Sequence, residues 1–336
     1  MSEGNTPLPP KTASAPLVRG DKKPLSTEPY KGVRDFYPED MAVQNHIFST
    51  WKKVAEGFGY QEYAASILEP AELYRTKGNE EIVDEQMFTF TDRGGREAAL
   101  RPEMTPSLAR MVAARRKSLK FPLRWFSIGS MYRYERPQRG RRREHWQLNC
   151  DLMGIAGIEA EVEIISLAHA LMKAFGAKDK DFVIKIGDRG RVAKAIQFFG
   201  VSKENIPAVF RLIDKKGKMP EEERREKLDA LGYKMETIKI MTVSPPVNEL
   251  KERLKARRIE NVEFEEDIVR GFDYYTGLVF EVFDTHPDNR RSLFGGGRYD
   301  NLLEIFGAEP VPTVGFAMGD VTIRDFLETH KLPLSK

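Results

Sequence analysis

The sequence predicts an α+β fold, a mainly antiparallel β-sheet flanked by helices and interrupted by a helical insertion. Three observations carry that expectation. Strand-like runs outnumber the helices available for parallel crossovers, and several are joined as hairpins. From about Arg189 to Ile259 the pattern changes to charged helical stretches, among them Glu221-Glu-Glu-Arg-Arg-Glu-Lys227. Neither a G-x-x-x-x-G-K-S/T loop nor a G-x-G-x-x-G fingerprint is present, which argues against a P-loop or Rossmann nucleotide site.

The elements follow in chain order. Residues 1–29 carry Pro7, Pro9, Pro10, Pro16, Pro24 and Pro29 among Ser, Thr, Lys and Gly, the composition of a disordered tail. That stretch has no apolar core of the kind a signal peptide needs. Pro38 to Phe58 reads as a helix, with Ile47, Trp51, Val54 and Phe58 on one face. Tyr60 to Leu68 reads as a strand stopped by Pro70. Met87–Thr91 and Glu97–Leu100 form a hairpin around Gly94-Gly95. Thr105-Pro106 opens a helix to about Leu119, as N-cap and first-turn proline. The runs Leu123–Met131 and His145–Met153 are strands of a second hairpin, and Ile158–Phe175 is a helix closed by Gly176. Phe182–Ile186 is a strand. After the insertion, in which Pro245-Pro246 reads as a break, strands resume at Val262–Val269, Tyr275–Phe283 and Val311–Met318.

Composition excludes more than it identifies. With 336 residues the chain can bury a large core in one or two domains. Lys+Arg 54 against Asp+Glu 51 leaves a net charge of +3, so local clusters matter more than the total. No run nears the apolar length of a membrane span. Cys150 is the only cysteine, which rules out an intrachain disulfide and a cysteine zinc site and fits the cytoplasm. The five histidines show no metal-ligand spacing, so no protein metal site is expected.

Chemistry concentrates in the second hairpin. Its first strand delivers Arg133 and Glu135, and Arg136, Arg139, Arg141, Arg142 and Arg143 crowd the loop that follows. A charged tip exposed to water would account for one arginine; five beside a polar strand face suit phosphate. On the return strand Gln147, Asn149 and Asp151 point the same way, because side chains alternate. That face suits a polar, partly cationic small molecule. Other clusters are weaker alone. Leu100-Arg-Pro-Glu103-Met-Thr105 puts a carboxylate and a hydroxyl at a strand-to-helix junction, where a cap is as good a reading. Val269-Arg270-Gly-Phe-Asp273-Tyr274-Tyr275 could be a turn with packing aromatics, or supply a phosphate ligand and phenolic hydrogen bonds. Gly295-Gly296-Gly297 before Arg298 and Tyr299 is a flexible turn or a place of close backbone approach.

Together these segments resemble the histidyl-tRNA synthetases, a class II aminoacyl-tRNA synthetase family, from about Gly32 to Gly319. Gly32-Val-Arg-Asp-Phe-Tyr-Pro38 with Pro70 is similar to the family's first motif, which implies a homodimer interface. Met131–Asp151 resembles the second motif. Arg270-Gly-Phe-Asp-Tyr-Tyr275 and Gly296-Gly-Arg-Tyr-Asp300 resemble the two histidine-specific signatures. The resemblance implies a division into the tail, a catalytic domain over 30–188 and 260–336, and an insertion domain over 189–259. It implies activation of L-histidine with ATP and Mg2+, and transfer to the 3′ end of histidine tRNA. Arg133 and Arg270 would act on the α-phosphate, with Glu135 and His145 near the nucleotide. Glu103 and Thr105 would bind the α-amino group. Gln147, Asp151, Tyr274, Tyr275 and Tyr299 would shape the amino-acid pocket. Arg136, Gln138, Arg139 and Arg141 would meet the tRNA acceptor end.

Two departures stand out. The family's third motif usually continues Gly-Leu-Glu-Arg, with the arginine packed on adenine; here Gly319 is followed by Asp320-Val321-Thr322. Arg324 falls two residues later and would face elsewhere, while His145 and Trp146 lie where an aromatic stacks on adenine. The chain also stops about where the family's anticodon-binding domain is expected, as a catalytic core would. The alternative reading is the synthetase-like regulatory subunit of ATP phosphoribosyltransferase, which shares the fold and does not aminoacylate.

Overall fold

The computed structural model describes residues 25–76, 82–217, 219–233, 245–289 and 291–335. Most of the expected tail lies outside the described residues, and residues 25–29 form neither helix nor strand. The strands are β1 (Gln61–Glu62), β2 (Leu68–Pro70), β3 (Phe88–Thr91), β4 (Glu97–Leu100), β5 (Leu123–Tyr132), β6 (Glu144–Met153), β7 (Phe182–Asp188), β8 (Val262–Phe264), β9 (Leu278–Asp284), β10 (Ser292–Arg298) and β11 (Thr313–Gly319). The helices are α1 (Pro38–Gly57), α2 (Glu72–Arg75), α3 (Thr105–Arg115), α4 (Glu159–Ala174), α5 (Arg189–Phe198), α6 (Ile206–Asp214), α7 (Glu221–Ala230), α8 (Pro245–Ala256) and α9 (Asp320–Thr329).

An eight-stranded sheet ordered β1-β5-β6-β11-β10-β9-β7-β8 forms the centre. Only the edge pairs β1–β5 and β7–β8 are parallel, so the sheet is mainly antiparallel, as expected. One face carries the main core. Ile47 and Trp51 of α1, Leu167 and Leu171 of α4, and Phe326 of α9 are wholly buried there with Phe126, Leu148 and Val282 of the strands. At roughly 25 cal/mol per Å2 of apolar surface removed from water, this layer dominates stability. The opposite face is only partly covered, by α3 and the turn at Leu302–Phe306, and the remaining concavity holds the site.

Several expected elements differ. The Tyr60–Leu68 strand reduces to Gln61–Glu62, and Pro70 ends β2 as an edge residue without a ladder donor to lose. Thr105 does not cap α3: it is the first helical residue, Met104 precedes it, and no side chain caps that end. Pro245-Pro246 starts α8 rather than breaking a helix, since a first-turn proline has no donor to waste. The triple-glycine stretch is neither loop nor turn but the middle of β10, at the heart of the sheet. The helical segment divides in packing. Val192, Ile196, Val209, Phe210, Ile213 and Leu228 make a separate small core, whereas Val247, Leu250 and Leu254 of α8 enter the main one.

A second sheet, β2-β4-β3, stands apart. Its register puts Leu68 opposite Leu100 and Phe90 opposite Ala98, so Leu68, Pro70, Phe88, Phe90, Ala98 and Leu100 share a face. Leu68 is 51% and Phe90 46% exposed, which leaves that apolar face open.

Candidate active site

The concavity gathers residues from across the chain into one cavity of about 110 Å3. Glu103 and Thr105 enter at the start of α3, Arg133 just after β5, and Gln147, Asn149 and Asp151 from β6. Arg270, Tyr274 and Tyr275 come from the segment before β9, and Tyr299 from the end of β10. β11 lies between β6 and β10, so its Gly315 pairs with both Asp151 and Gly297 and makes part of the floor. A Cβ on Gly315 would stand 2.2 Å from Asp151 Oδ1 and 3.0 Å from the Tyr299 hydroxyl, so only glycine leaves room there.

Two buried carboxyls define the cavity. Asp151 accepts a hydrogen bond from the Tyr299 hydroxyl, and burial pushes its carboxyl up to about 7 while that bond pulls the other way. Glu103 Oε2 accepts from the Tyr274 hydroxyl at 3.2 Å. Burial pushes Glu103 up to about 7, against the pull of Arg133 and Tyr274. Glu103 Oε1, Gln147 Oε1 and Asn149 Nδ2 are buried without a hydrogen-bond partner. Unpaired buried polar atoms cost stability, so their gathering in one cavity marks it as built for a polar guest. Two carboxyls in one small space favour a guest with two cationic or N–H groups.

The mouth of the cavity is cationic. Arg133 donates through Nε to the Pro102 carbonyl at 2.9 Å, which fixes its guanidinium, and Glu135 lies 4.0 Å away. Arg270 has a left-handed backbone, φ 59°, and donates through Nη1 to Glu281 at 2.5 Å. Burial works against the Arg270 charge, but Glu281 and Tyr275 together outweigh it and hold the guanidinium well above its ordinary range. Gly295 lets it in, since a Cβ would stand 2.9 Å from Arg270 Nη1.

An adjoining cavity of about 220 Å3 is lined by Arg133, Glu135, Arg141, His145, Val321 and Thr322, among others. Burial, then the charges of Arg133 and Arg34, push the His145 imidazole down to about 3, so it is neutral at pH 7. Trp146 does not share this space: on the alternate face of β6, its ring packs on Phe48 at 5.0 Å. Asp320 is wholly engaged elsewhere, accepting from Arg34 at 2.7 Å, Gln44 at 3.1 Å and the Trp146 backbone at 2.9 Å. Arg324 pairs with Asp40 and Glu328, away from the cavity, as the helical spacing suggested. A chamber of about 1120 Å3, bounded by Gln138, Arg141, Lys185, Lys216 and Arg291 among others, shares Arg133 with both cavities.

The arginine loop is less uniform than its sequence. Arg143 is buried, with its guanidinium 3.7 Å over the Tyr134 ring and its backbone donating to Gly32. Arg139 turns back onto α9, pairing with Asp325 at 2.9 Å and donating to Thr329 and the Asp288 carbonyl. Arg141 pairs with Glu135 at 3.1 Å, and Gln138 bridges to it through the backbone. Arg136 and Arg142 are exposed. Sequence reasoning misses Glu281, although a lone acid between Phe280 and Val282 in an apolar strand is a usable signal. Asn149 belongs to the polar face that alternation predicts and is not among the predicted site residues, yet it lines the cavity.

Comparison with known proteins agrees with this geometry. The family model described as histidyl-tRNA synthetase matches residues 32–322. A histidine–tRNA ligase from Leptospira biflexa is 43% identical over 332 residues, covering 92% of this chain and 76% of the relative. The chloroplastic/mitochondrial histidine–tRNA ligase of Arabidopsis thaliana is 38% identical, covering 95% of this chain and 70% of the relative. A Bacillus halodurans structure described as an ATP phosphoribosyltransferase regulatory subunit/histidyl-tRNA synthetase superposes with a TM-score of 0.75 at 26% identity, over 91% of this chain and 84% of that one.

Proposed function

This chain belongs to the histidyl-tRNA synthetase family, and on that premise we propose that it activates L-histidine with ATP and transfers it to histidine tRNA. The observation that carries the reading is the pair of buried carboxyls, Glu103 and Asp151, in one cavity beside Arg133 and Arg270. Glu103, with Thr105 at the start of α3, takes the α-ammonium group. Asp151, oriented by Tyr299, takes an imidazole N–H, and Gln147, Tyr274 and Tyr275 close the remaining sides. An analogue without that N–H leaves the Asp151 oxygen not held by Tyr299 without a donor, which is a strong basis for selection. The ligase name of both relatives favours this reading over the regulatory subunit.

A histidine carboxylate oxygen attacks the α-phosphorus, the phosphorus–oxygen bond to pyrophosphate breaks, and histidyl-adenylate forms. The ribose hydroxyl at the tRNA 3′ end then attacks the histidyl carbonyl and AMP leaves. The protein positions the reactants and stabilises charge, so Arg133 and Arg270 converging on one phosphate are the essential equipment. ATP would bring Mg2+ as its counter-ion, to neutralise charge on its phosphates. Glu135 and Glu281 are the carboxylates beside the arginines, and that sparse donor set suits an ion held mainly by phosphate and water. Neutral His145 and Thr322 line the space for adenine, and Glu135 lies beside it. Arg136, Gln138 and Arg141 face the acceptor end of tRNA with the exposed Arg142 beside them, whereas Arg139 braces the loop against α9.

The open apolar face of the small sheet, close in sequence to the first motif, supports a homodimer. A cytoplasmic location belongs to the same proposal, supported by the lone buried thiol Cys150; no helix among the described residues is long and apolar enough to cross a membrane. The test is histidine-dependent ATP–pyrophosphate exchange, with other amino acids as controls. Exchange specific to histidine is expected, and Arg270→Ala should largely abolish it while histidine binding stays measurable. Near-full activity in that variant would remove Arg270 from its assigned role.

A further inference from the structure

Arg189 has no part in the reaction described above, yet it is 4% exposed and its guanidinium reaches the segment that carries Arg270. β7 runs straight into α5, with Asp188 capping the helix by accepting from the Arg191 backbone at 2.9 Å. Arg189 is therefore the first residue of α5, and a well-anchored one. Its Nη1 donates to the carbonyls of Val269 at 2.8 Å and Arg270 at 2.7 Å. Its Nη2 lies 3.8 Å from Asp273 Oδ1, and its backbone donates to the Gly277 carbonyl. One side chain thus grips the backbone on both sides of the Arg270 Cα and lies beside the acid three residues on.

That grip matters because of the conformation it holds. Arg270 sits at φ 59°, a left-handed backbone that a non-glycine residue adopts at a cost. Its segment has no ladder to enforce the geometry, since β8 ends at Phe264 and β9 begins at Leu278. The two carbonyl bonds from Arg189 supply the missing constraint. Burial lowers the Arg189 guanidinium to about 10, with Asp273 opposing, so it stays charged at pH 7 and its hydrogen bonds are charge-assisted.

The far side of Arg189 touches the helical insertion. Its guanidinium lies 4.1 Å over the Phe210 ring of α6, and Arg211 of the same helix donates to Asp273 Oδ2 at 3.0 Å. Phe210 in turn belongs to the small core of α5, α6 and α7, which also takes in Val269.

We propose that Arg189 is a positioning residue for Arg270, setting the direction of its guanidinium and tying that direction to the docking of α6. The proposal rests on the reading of Arg270 as the α-phosphate ligand and names what aims it. The histidine pocket is held separately, by the Asp151–Tyr299 and Glu103–Tyr274 contacts, so the two functions should separate on substitution.

The test is a double-mutant cycle on the full chain, read by ATP–pyrophosphate exchange and normalised to active sites by histidine binding. Arg189→Ala should lower kcat by about 10- to 100-fold, the cost of roughly an ångström of misplacement, with the histidine KM within about threefold of the parent. Arg189→Lys should restore part of kcat, because an ammonium can still donate to the two carbonyls but has no second nitrogen for Asp273 and no planar face for Phe210. In the Arg270→Ala background, Arg189→Ala should add almost nothing, as expected when one residue acts through another. Full additivity overturns the proposal, as does a rise in histidine KM that matches the fall in kcat. If Arg189→Ala does not fold, Arg189→Lys and Phe210→Leu carry the same cycle. A parent chain without exchange would instead count against the synthetase reading, and the cycle would then be run on ATP affinity by calorimetry.

Discussion

Glu103 and Asp151 illustrate how a side chain's chemistry is set by where it is buried. Their carboxyls stand at about 7 in the folded protein, against ordinary values of 4.5 and 3.8. A group raised in this way makes its contribution to stability in full below the unfolded value and loses it as the pH rises through the folded one. The thermal midpoint of the ligand-free protein should therefore fall between pH 5 and pH 8. Glu103→Gln and Asp151→Asn should each flatten that fall, and histidine should offset it by supplying the missing partner. Differential scanning calorimetry across the range measures this. An unchanged slope in the double variant would show that neither carboxyl is the source.

At the scale of elements, the second hairpin does two jobs that its composition blurs. Arg143 and Arg139 hold the loop to the Gly32 segment and to α9, while Arg136 and Arg142 face solvent. Substituting Arg136 or Arg142 by Ala should weaken tRNA use and lower its salt slope by about one per lost phosphate contact. Histidine-dependent exchange in the absence of tRNA should be unchanged. Charging kinetics over a salt series separates these outcomes, and an unaltered slope in both variants would take the loop off the RNA. The β2-β4-β3 sheet presents its apolar face to solvent. A charge at Leu68, as in Leu68→Glu, should convert a dimer to a monomer by placing a carboxylate in the apolar face. Light scattering after gel filtration reads the mass. A dimer that survives both Leu68→Glu and Phe90→Glu would move the interface elsewhere.

Across the whole molecule, one buried acid joins pieces distant in sequence. Asp320 begins α9 and accepts from the segment before α1, from α1 itself and from the β6 backbone. Removing it would leave the Arg34 charge and two further donors without their acceptor. Asp320→Ala should cost about 3–5 kcal/mol, read as a lower midpoint in urea. A loss under about 1 kcal/mol would mean that the junction is not a structural tie. The tie also bears on function, since its Trp146 partner is next to His145 in the strand that floors both cavities. The residue that breaks the third motif is thus a scaffold acid, and Thr322, two positions on, lines the space beside His145.

The sheet's antiparallel character and the hairpin that presents Arg133 are legible in the sequence, because alternation and turn chemistry act within a few residues. So are the polar face of Gln147, Asn149 and Asp151 and the residue sets whose resemblance marks the family. Which arginines of the loop face solvent depends on the folded chain, since Arg139 finds Asp325 across 186 positions. Folding did more. It turned the triple glycine from a supposed turn into a central strand, because the crowding there comes from β9 and β11 and not from neighbours in sequence. It also sent α8 into the main core and brought Glu281 and Arg189 to Arg270. Burial, long-range pairing and the aim of a side chain depend on surfaces that meet only when the chain is folded, so no local pattern could have carried them.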